Sequence, residues 1–321
     1  MSFSLQECLE TRKTLFVPQS QGAVRSLIEM FEGFEEKRVE VTDVELFMRI
    51  GGSGPPLLLL HGYPQNHVMW HLVAPELSKN FTLVCPDMRG YGRSEKPPSV
   101  PGFSNYSKRQ MALDMVELMT ELGYQSFKVA GHDRGGRCAY RLALDHSDRI
   151  EKIVILDVIP TFEQLERLTA EGAYGGFHWY FMGQEPGFPE KMIGADPEFY
   201  LRYLCNKWAA APNPFTPEAM AEYIRSFSDP DTIRATCDEY RNNPRTDHAN
   251  DKADKDAGRR ILCPTLILWG DAGRPHKRQG SLELWQEWSD NVQGHGMPCG
   301  HFLAEELPSE TAAEMIAFLR D

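Results

Sequence analysis

Phe127-Lys128-Val129-Ala130-Gly131-His132-Asp133-Arg134-Gly135-Gly136-Arg137-Cys138-Ala139-Tyr140-Arg141-Leu142-Ala143-Leu144 contains three kinds of local signal in one run. An apolar stretch reads as a strand, Gly131 to Gly136 read as a tight turn, and the remainder reads as a helix. Glycines are expected where a turn leaves no room for a Cβ atom. Such a turn holds its central residue, here Asp133, exposed and strained at the head of the helix. The competing reading is an ordinary strand-to-helix turn with an aspartate N-cap.

Strand, glycine-flanked turn and helix together resemble the nucleophile elbow of the α/β-hydrolases, whose usual form is G-x-S-x-G. Here aspartate replaces the serine. A serine elbow acylates at carbonyl carbon. A carboxylate attacking there would form an unstable anhydride, so its natural target is a saturated carbon bearing a halide or an epoxide oxygen. The product is an alkyl-enzyme ester that water must then cleave.

The chain's 321 residues, 41% hydrophobic and 25% charged, are ordinary for a globular protein. A formal net charge of -12 argues against nucleic acid or an anionic membrane as the main partner. The cysteines form no C-x-x-C pair, so neither a zinc site nor a disulfide framework is indicated. No run is long enough to span a membrane, and no apolar signal-peptide core stands at the N-terminus, so a cytoplasmic protein is expected.

Residues 1–29 lack periodicity and read as an N-terminal extension before Met30. Arg38–Val41 and Val44–Arg49 alternate around Thr42-Asp43, which predicts an antiparallel hairpin. Pro56–Leu60, Phe81–Pro86, Ile153–Pro160 and Pro264–Gly270 are apolar runs suited to strands buried on both faces. Met111, Met115, Leu118 and Leu122 predict a core-facing helix stripe. The charges of Asp87–Ser94 are read as fixing a loop, and the charged Thr246–Ala257 as solvated surface. Strands alternating with helices predict an α/β-hydrolase fold: a mostly parallel central sheet flanked by helices. Its core would comprise residues 30–159 and 259–321. Residues 160–258, rich in aromatics and prolines, would form an inserted helical cap or lid.

In this fold the nucleophile is followed by an acid and then a histidine. His301, within Gly300-His301-Phe302, is the expected base, and its duty would be to activate the water that cleaves the ester. Two carboxylates compete to orient it. Asp271 follows Trp269-Gly270 closely. Asp157 ends an apolar strand, where a carboxylate is costly unless paired, and it is the favoured candidate. Arg134 and Arg137, three apart on the elbow helix, predict a site for a substrate carboxylate, against the commoner reading of surface ion pairing.

Taken with Met30–Phe34, Gly51–Pro56, His61-Gly62-Tyr63-Pro64-Gln65, Leu156-Asp157, His178-Trp179 and Asp238–Arg241, these residues resemble the fluoroacetate (haloacetate) dehalogenase family. The resemblance covers most of residues 30–321. It implies Asp133 as nucleophile, His301 as base, Asp157 as its partner, and Arg134 and Arg137 as the carboxylate clamp. It further implies that His178, Trp179 and Tyr240 hold the departing halide. Imidazole, indole and phenol donors in a dry pocket suit fluoride, a poor leaving group. Tyr63 stands where that family often has phenylalanine. The expected substrate is a small anionic haloacid, with no cofactor or metal because nucleophile, base and donors are all side chains. A homodimer is admitted but not required. An epoxide hydrolase with the same aspartate nucleophile is the alternative, and a non-catalytic ligand-binding relative is a third reading.

Overall fold

A computed structural model of the chain describes residues 30–272 and 280–320; the expected N-terminal extension, 1–29, lies outside the described residues. Eight strands form a single sheet among these residues. In chain order they are β1 (Glu35–Val41), β2 (Val44–Gly52), β3 (Pro56–Leu60), β4 (Thr82–Pro86), β5 (Phe127–His132), β6 (Ile150–Leu156), β7 (Thr265–Gly270) and β8 (Val292–Met297). Their spatial order is β1-β2-β4-β3-β5-β6-β7-β8. The hairpin β1–β2 joins β4 antiparallel, and all remaining pairings are parallel. Parallel pairing demands crossovers, and the helices that supply them cover both faces.

Local sequence explains the centre of this sheet. Leu57, Leu58, Leu59 and Leu60 of β3 are all fully buried, as are Val129 and Ala130 of β5 and Ile153 to Leu156 of β6. Burying each of the larger side chains contributes about 1.5–3 kcal/mol relative to exposure. The helix Lys108–Glu121 turns Met111, Met115 and Leu118 onto this core. Strand β8 has no strong signature of its own, since Val292-Gln293-Gly294-His295-Gly296-Met297 is poor in branched residues. It pairs where it does because Gly294 lies so close to β7 that a Cβ there would meet the Ile267 carbonyl oxygen at 2.1 Å.

Between β6 and β7 the chain forms a series of helices, from Thr161–Glu166 to His248–Asp256. The last of these corrects the reading of Thr246–Ala257 as solvated surface. Asp251 and Asp254 are buried and accept hydrogen bonds from Arg141 of the elbow helix, at 3.0 and 2.5 Å. Spaced three apart, they share one helix face, which docks on that cation, while Lys252 is exposed and Lys255 pairs with Glu163 and Glu287. No helix among the described residues is long and apolar enough to cross a membrane.

Candidate active site

The turn after β5 delivers Asp133 at the carboxyl edge of the sheet, as the N-cap of the helix Arg134–Asp145. Its backbone has φ 48° and ψ −112°, a left-handed conformation that costs a non-glycine residue about 1–3 kcal/mol. Two backbone bonds hold it there: Asp133 N–H donates to Leu156 O at 3.1 Å, and Arg137 N–H donates to Asp133 O at 3.1 Å. The flanking glycines are steric requirements. A Cβ at Gly131 would stand 2.3 Å from Gly135 O, and one at Gly135 would stand 2.3 Å from Leu60 O.

The His61–Gln65 loop after β3 lies against this turn, and Tyr63 N–H donates to Asp133 Oδ1 at 2.9 Å. Burial would raise the Asp133 carboxyl, but His301, His132, Arg134 and the Tyr63 N–H together hold it well below the usual carboxylate range. Asp133 is therefore ionised at neutral pH.

His301 follows β8, and its Nε2 lies 3.8 Å from Asp133 Oδ2. On its other side Nδ1–H donates to Asp157 Oδ2 at 2.5 Å. Asp157 is fixed just beyond β6: its N–H donates to Leu268 O at 2.8 Å, and its Oδ1 accepts the Gly270 N–H at 2.9 Å. The structure thus brings Asp157 to the histidine, whereas the alternative acid, Asp271, is exposed. His132 adds a contact that the sequence did not announce. Burial lowers its imidazole to about 3, so it is neutral, and its Nε2–H donates to the His301 carbonyl at 2.7 Å.

The two arginines take different surroundings. Arg134 is fully buried: Nε donates to Glu239 Oε1 at 2.6 Å, and both terminal nitrogens donate to Asn243 Oδ1 at 3.0 Å. Glu239 also receives Lys108 and the Tyr91 hydroxyl. Arg137 is equally buried, but its one side-chain bond is from Nη1 to Thr161 Oγ1 at 3.0 Å. Its Nε has no hydrogen-bond partner, and among the described residues no carboxylate pairs with it. Burial lowers its guanidinium below the ordinary arginine value. The guanidinium lies 4.5 Å from the centre of the Trp179 ring.

A cavity of about 520 Å³ opens over these groups, lined at its inner end by Asp133, Arg137, Asp157, His178, Trp179 and His301. His178 and Trp179 come from the short helix Phe177–Met182, and Tyr240 from the helix Pro230–Asn242. The Tyr240 ring centre lies 5.4 Å from that of His178 and 5.9 Å from that of Trp179. Tyr240 is fully buried, and neither its hydroxyl nor His178 Nδ1 has a hydrogen-bond partner among the described residues. Burial lowers the His178 imidazole to about 3 and raises the Tyr240 phenol, so both are neutral donors. No group of three or more His, Cys, Asp or Glu among the described residues is arranged to hold a metal ion. The residues missed by sequence reasoning are supporting ones: Glu239, Asn243, Lys108 and His132. Glu239 fell inside the quoted Asp238–Arg241 stretch, but only tertiary packing pairs it with Arg134.

The alpha/beta hydrolase fold family model matches residues 55–308, about four-fifths of the chain. A fluoroacetate dehalogenase of Burkholderia sp is 43% identical over 293 residues, covering 91% of this chain and 96% of that one. This chain belongs to the α/β-hydrolases, in the fluoroacetate dehalogenase family. A soluble epoxide hydrolase of Corynebacterium sp. (strain C12) is 37% identical, covering 84% of this chain and 92% of its own. Among solved structures, an α/β hydrolase of Nostoc sp PCC 7120 superposes with a TM-score of 0.88 at 48% identity, covering 90% of this chain and 99% of the other. The elbow and the loop carrying His301, Gly131–Gly136 and Gly300–Phe302, both fall within the span matched by the family.

Proposed function

We propose that this member of the family hydrolyses the carbon–halogen bond of short 2-haloacids, giving a 2-hydroxy acid, halide and a proton through an ester on Asp133. The observation that carries this reading is a buried guanidinium, Arg137, left without a carboxylate at the inner end of a cavity shared with an ionised elbow aspartate. An unpaired buried cation is costly, and a substrate carboxylate supplies the missing partner.

In this reading Oδ1 stays on the Tyr63 N–H and Oδ2 attacks the halogen-bearing carbon. The halide leaves with the bonding pair toward His178, Trp179 and Tyr240, whose N–H and O–H groups stabilise the developing charge. Water then adds to the ester carbonyl. His301 takes its proton, Asp157 steadies the resulting imidazolium, and the Tyr63 N–H faces the oxyanion. On collapse the His301 imidazolium returns its proton to the departing alkoxide oxygen, which releases the hydroxy acid, and the Asp133 carboxyl then loses its proton to solvent. Arg134, neutralised by Glu239, contributes its remaining N–H groups to the substrate carboxylate. The helices of residues 160–258 act as the lid that keeps this site dry.

A single turnover in ¹⁸O-labelled water tests the route. The label should enter Asp133 and be absent from the first product molecule, because the ester oxygen comes from the enzyme. Label appearing directly in that product would mean that water attacks the substrate itself. Epoxide opening is the second reading, favoured by the Tyr240 hydroxyl, a free buried acid among the described residues. An enzyme that opens small epoxides while releasing no halide from fluoroacetate, chloroacetate or bromoacetate would establish it instead.

A further inference from the structure

Beyond the groups that face the cavity, one carboxylate grips the loop carrying His301. Glu306 lies in the short helix Leu303–Glu306, and both its oxygens accept backbone hydrogen bonds. Oε2 accepts the Gly300 N–H at 3.0 Å and Oε1 the Phe302 N–H at 3.0 Å, so the carboxylate brackets His301 from both sides. Oε2 also accepts the N–H groups of Ala210 and Ala211, at 2.8 and 3.1 Å, just past the end of the helix Pro197–Trp208. That segment belongs to the insertion between β6 and β7.

Two other features bind the same segments together. His301 N–H donates to Trp208 O at 3.0 Å. Gly300 allows the approach, since a Cβ there would stand 2.4 Å from Ala210 N. The Trp208 ring then sits between the catalytic set and the halide donors, 5.5 Å from His301 and 4.7 Å from His178. Four N–H groups from two distant stretches of chain thus depend on one side chain. Hydrogen bonds to an ionised acceptor are about twice as strong as neutral ones.

We propose that Glu306 is a positioning residue for the reaction: it sets the His301 backbone, and through the Ala210-Ala211 turn it locks the loop carrying His301 to the helical insertion. This inference rests on the dehalogenation reading. Asp133 reaches its strained position without Glu306, so formation of the ester does not depend on it. Hydrolysis of the ester does, because His301 must meet water at a fixed angle. Misplacing a catalytic group by about 1 Å costs on the order of 100-fold.

The test compares Glu306→Ala with Glu306→Gln, the second retaining one oxygen for Gly300, Ala210 and Ala211 but turning its amide donor toward the Phe302 N–H. Rapid-quench halide release, the mass of the covalent adduct, and the downfield proton resonance of the His301 Nδ1–H on Asp157 are measured on both. The expected result for Glu306→Ala is an unchanged first turnover, steady-state turnover slowed by about 10- to 100-fold, and adduct present at steady state. The proton resonance should broaden. Glu306→Gln should lie between Glu306→Ala and wild type. The proposal falls if turnover is unchanged, or if first and later turnovers slow by the same factor. If Glu306→Ala does not fold, the same comparison on Glu306→Gln decides. If wild type releases no halide, the dehalogenation reading fails, and a proton resonance as sharp as wild type's in both variants would separately remove Glu306 from its role.

Discussion

Replacing Arg137 by glutamine removes the one buried guanidinium that no carboxylate neutralises among the described residues, together with its hydrogen bond to Thr161 Oγ1. The consequences for folding and for catalysis should separate. Burial already works against this charge, so the folded state loses little with it, and the thermal midpoint should hold or rise. Catalysis should suffer because the substrate carboxylate loses a charge-assisted hydrogen bond, worth about 1.5–3 kcal/mol. At about 1.4 kcal/mol per factor of ten, that is a fall of about 10- to 150-fold in kcat/KM. The loss should appear mainly in KM, because the carboxylate keeps its charge while the neighbouring carbon–halogen bond breaks and is held equally in ground and transition states. Initial rates of chloride release across a range of chloroacetate concentrations measure this, with differential scanning fluorimetry on the same sample. Glutamine at 137 with kcat/KM within about threefold of wild type would refute the carboxylate role. So would a fall matched by a large drop in melting temperature, which would make Arg137 structural.

Three further outcomes follow from the same geometry. His301→Asn should release about one halide per site and stall, with the substrate's carboxymethyl group left on Asp133; intact-protein mass spectrometry showing no adduct would contradict the covalent route. Trp179→Phe removes the indole donor while keeping an aromatic ring under Arg137, so fluoride release should fall more than bromide release; equal losses would reduce Trp179 to packing. Glu305 is buried on the Tyr223 hydroxyl, 2.8 Å away, and burial raises its carboxyl from 4.5 to about 8. A group raised on folding favours the folded state fully below its unfolded value and loses that contribution as pH climbs toward about 8. Glu305→Gln should therefore flatten the decline of melting temperature between pH 5 and pH 9, and an unchanged slope would show that this carboxyl is ionised throughout.

What the local sequence encodes differs from element to element along this chain. The elbow was legible because its constraint is local: glycines bracketing a strained residue leave a mark within six positions, Gly131 to Gly136. The buried strands β3, β4, β6 and β7 were legible for a similar reason, as continuous apolar runs can bury both faces only inside a sheet. The order of nucleophile, acid and base points to His301, and the cost of a carboxylate ending an apolar strand points to Asp157 over Asp271, but their meeting at 2.5 Å is a property of where β6 and β8 end.

Tertiary structure alone decided the fate of the charges. The sequence shows Arg134 and Arg137 as a pair one helical turn apart, and nothing in it says that Glu239 neutralises the first, with Asn243 accepting its terminal N–H groups, while the second remains open to the cavity. Asp251 and Asp254 look like solvent-facing residues in a charged run until Arg141 is brought to them from a helix more than a hundred positions earlier. Strand β8 is weak in sequence because the close approach of β7 at Gly294 leaves no room for a branched side chain. Hydrophobic periodicity is written along the chain, since each residue's burial follows from its own face. The pairing of Arg134 with Glu239, and of Arg141 with Asp251 and Asp254, is set by long-range approach, which spacing along the chain does not record.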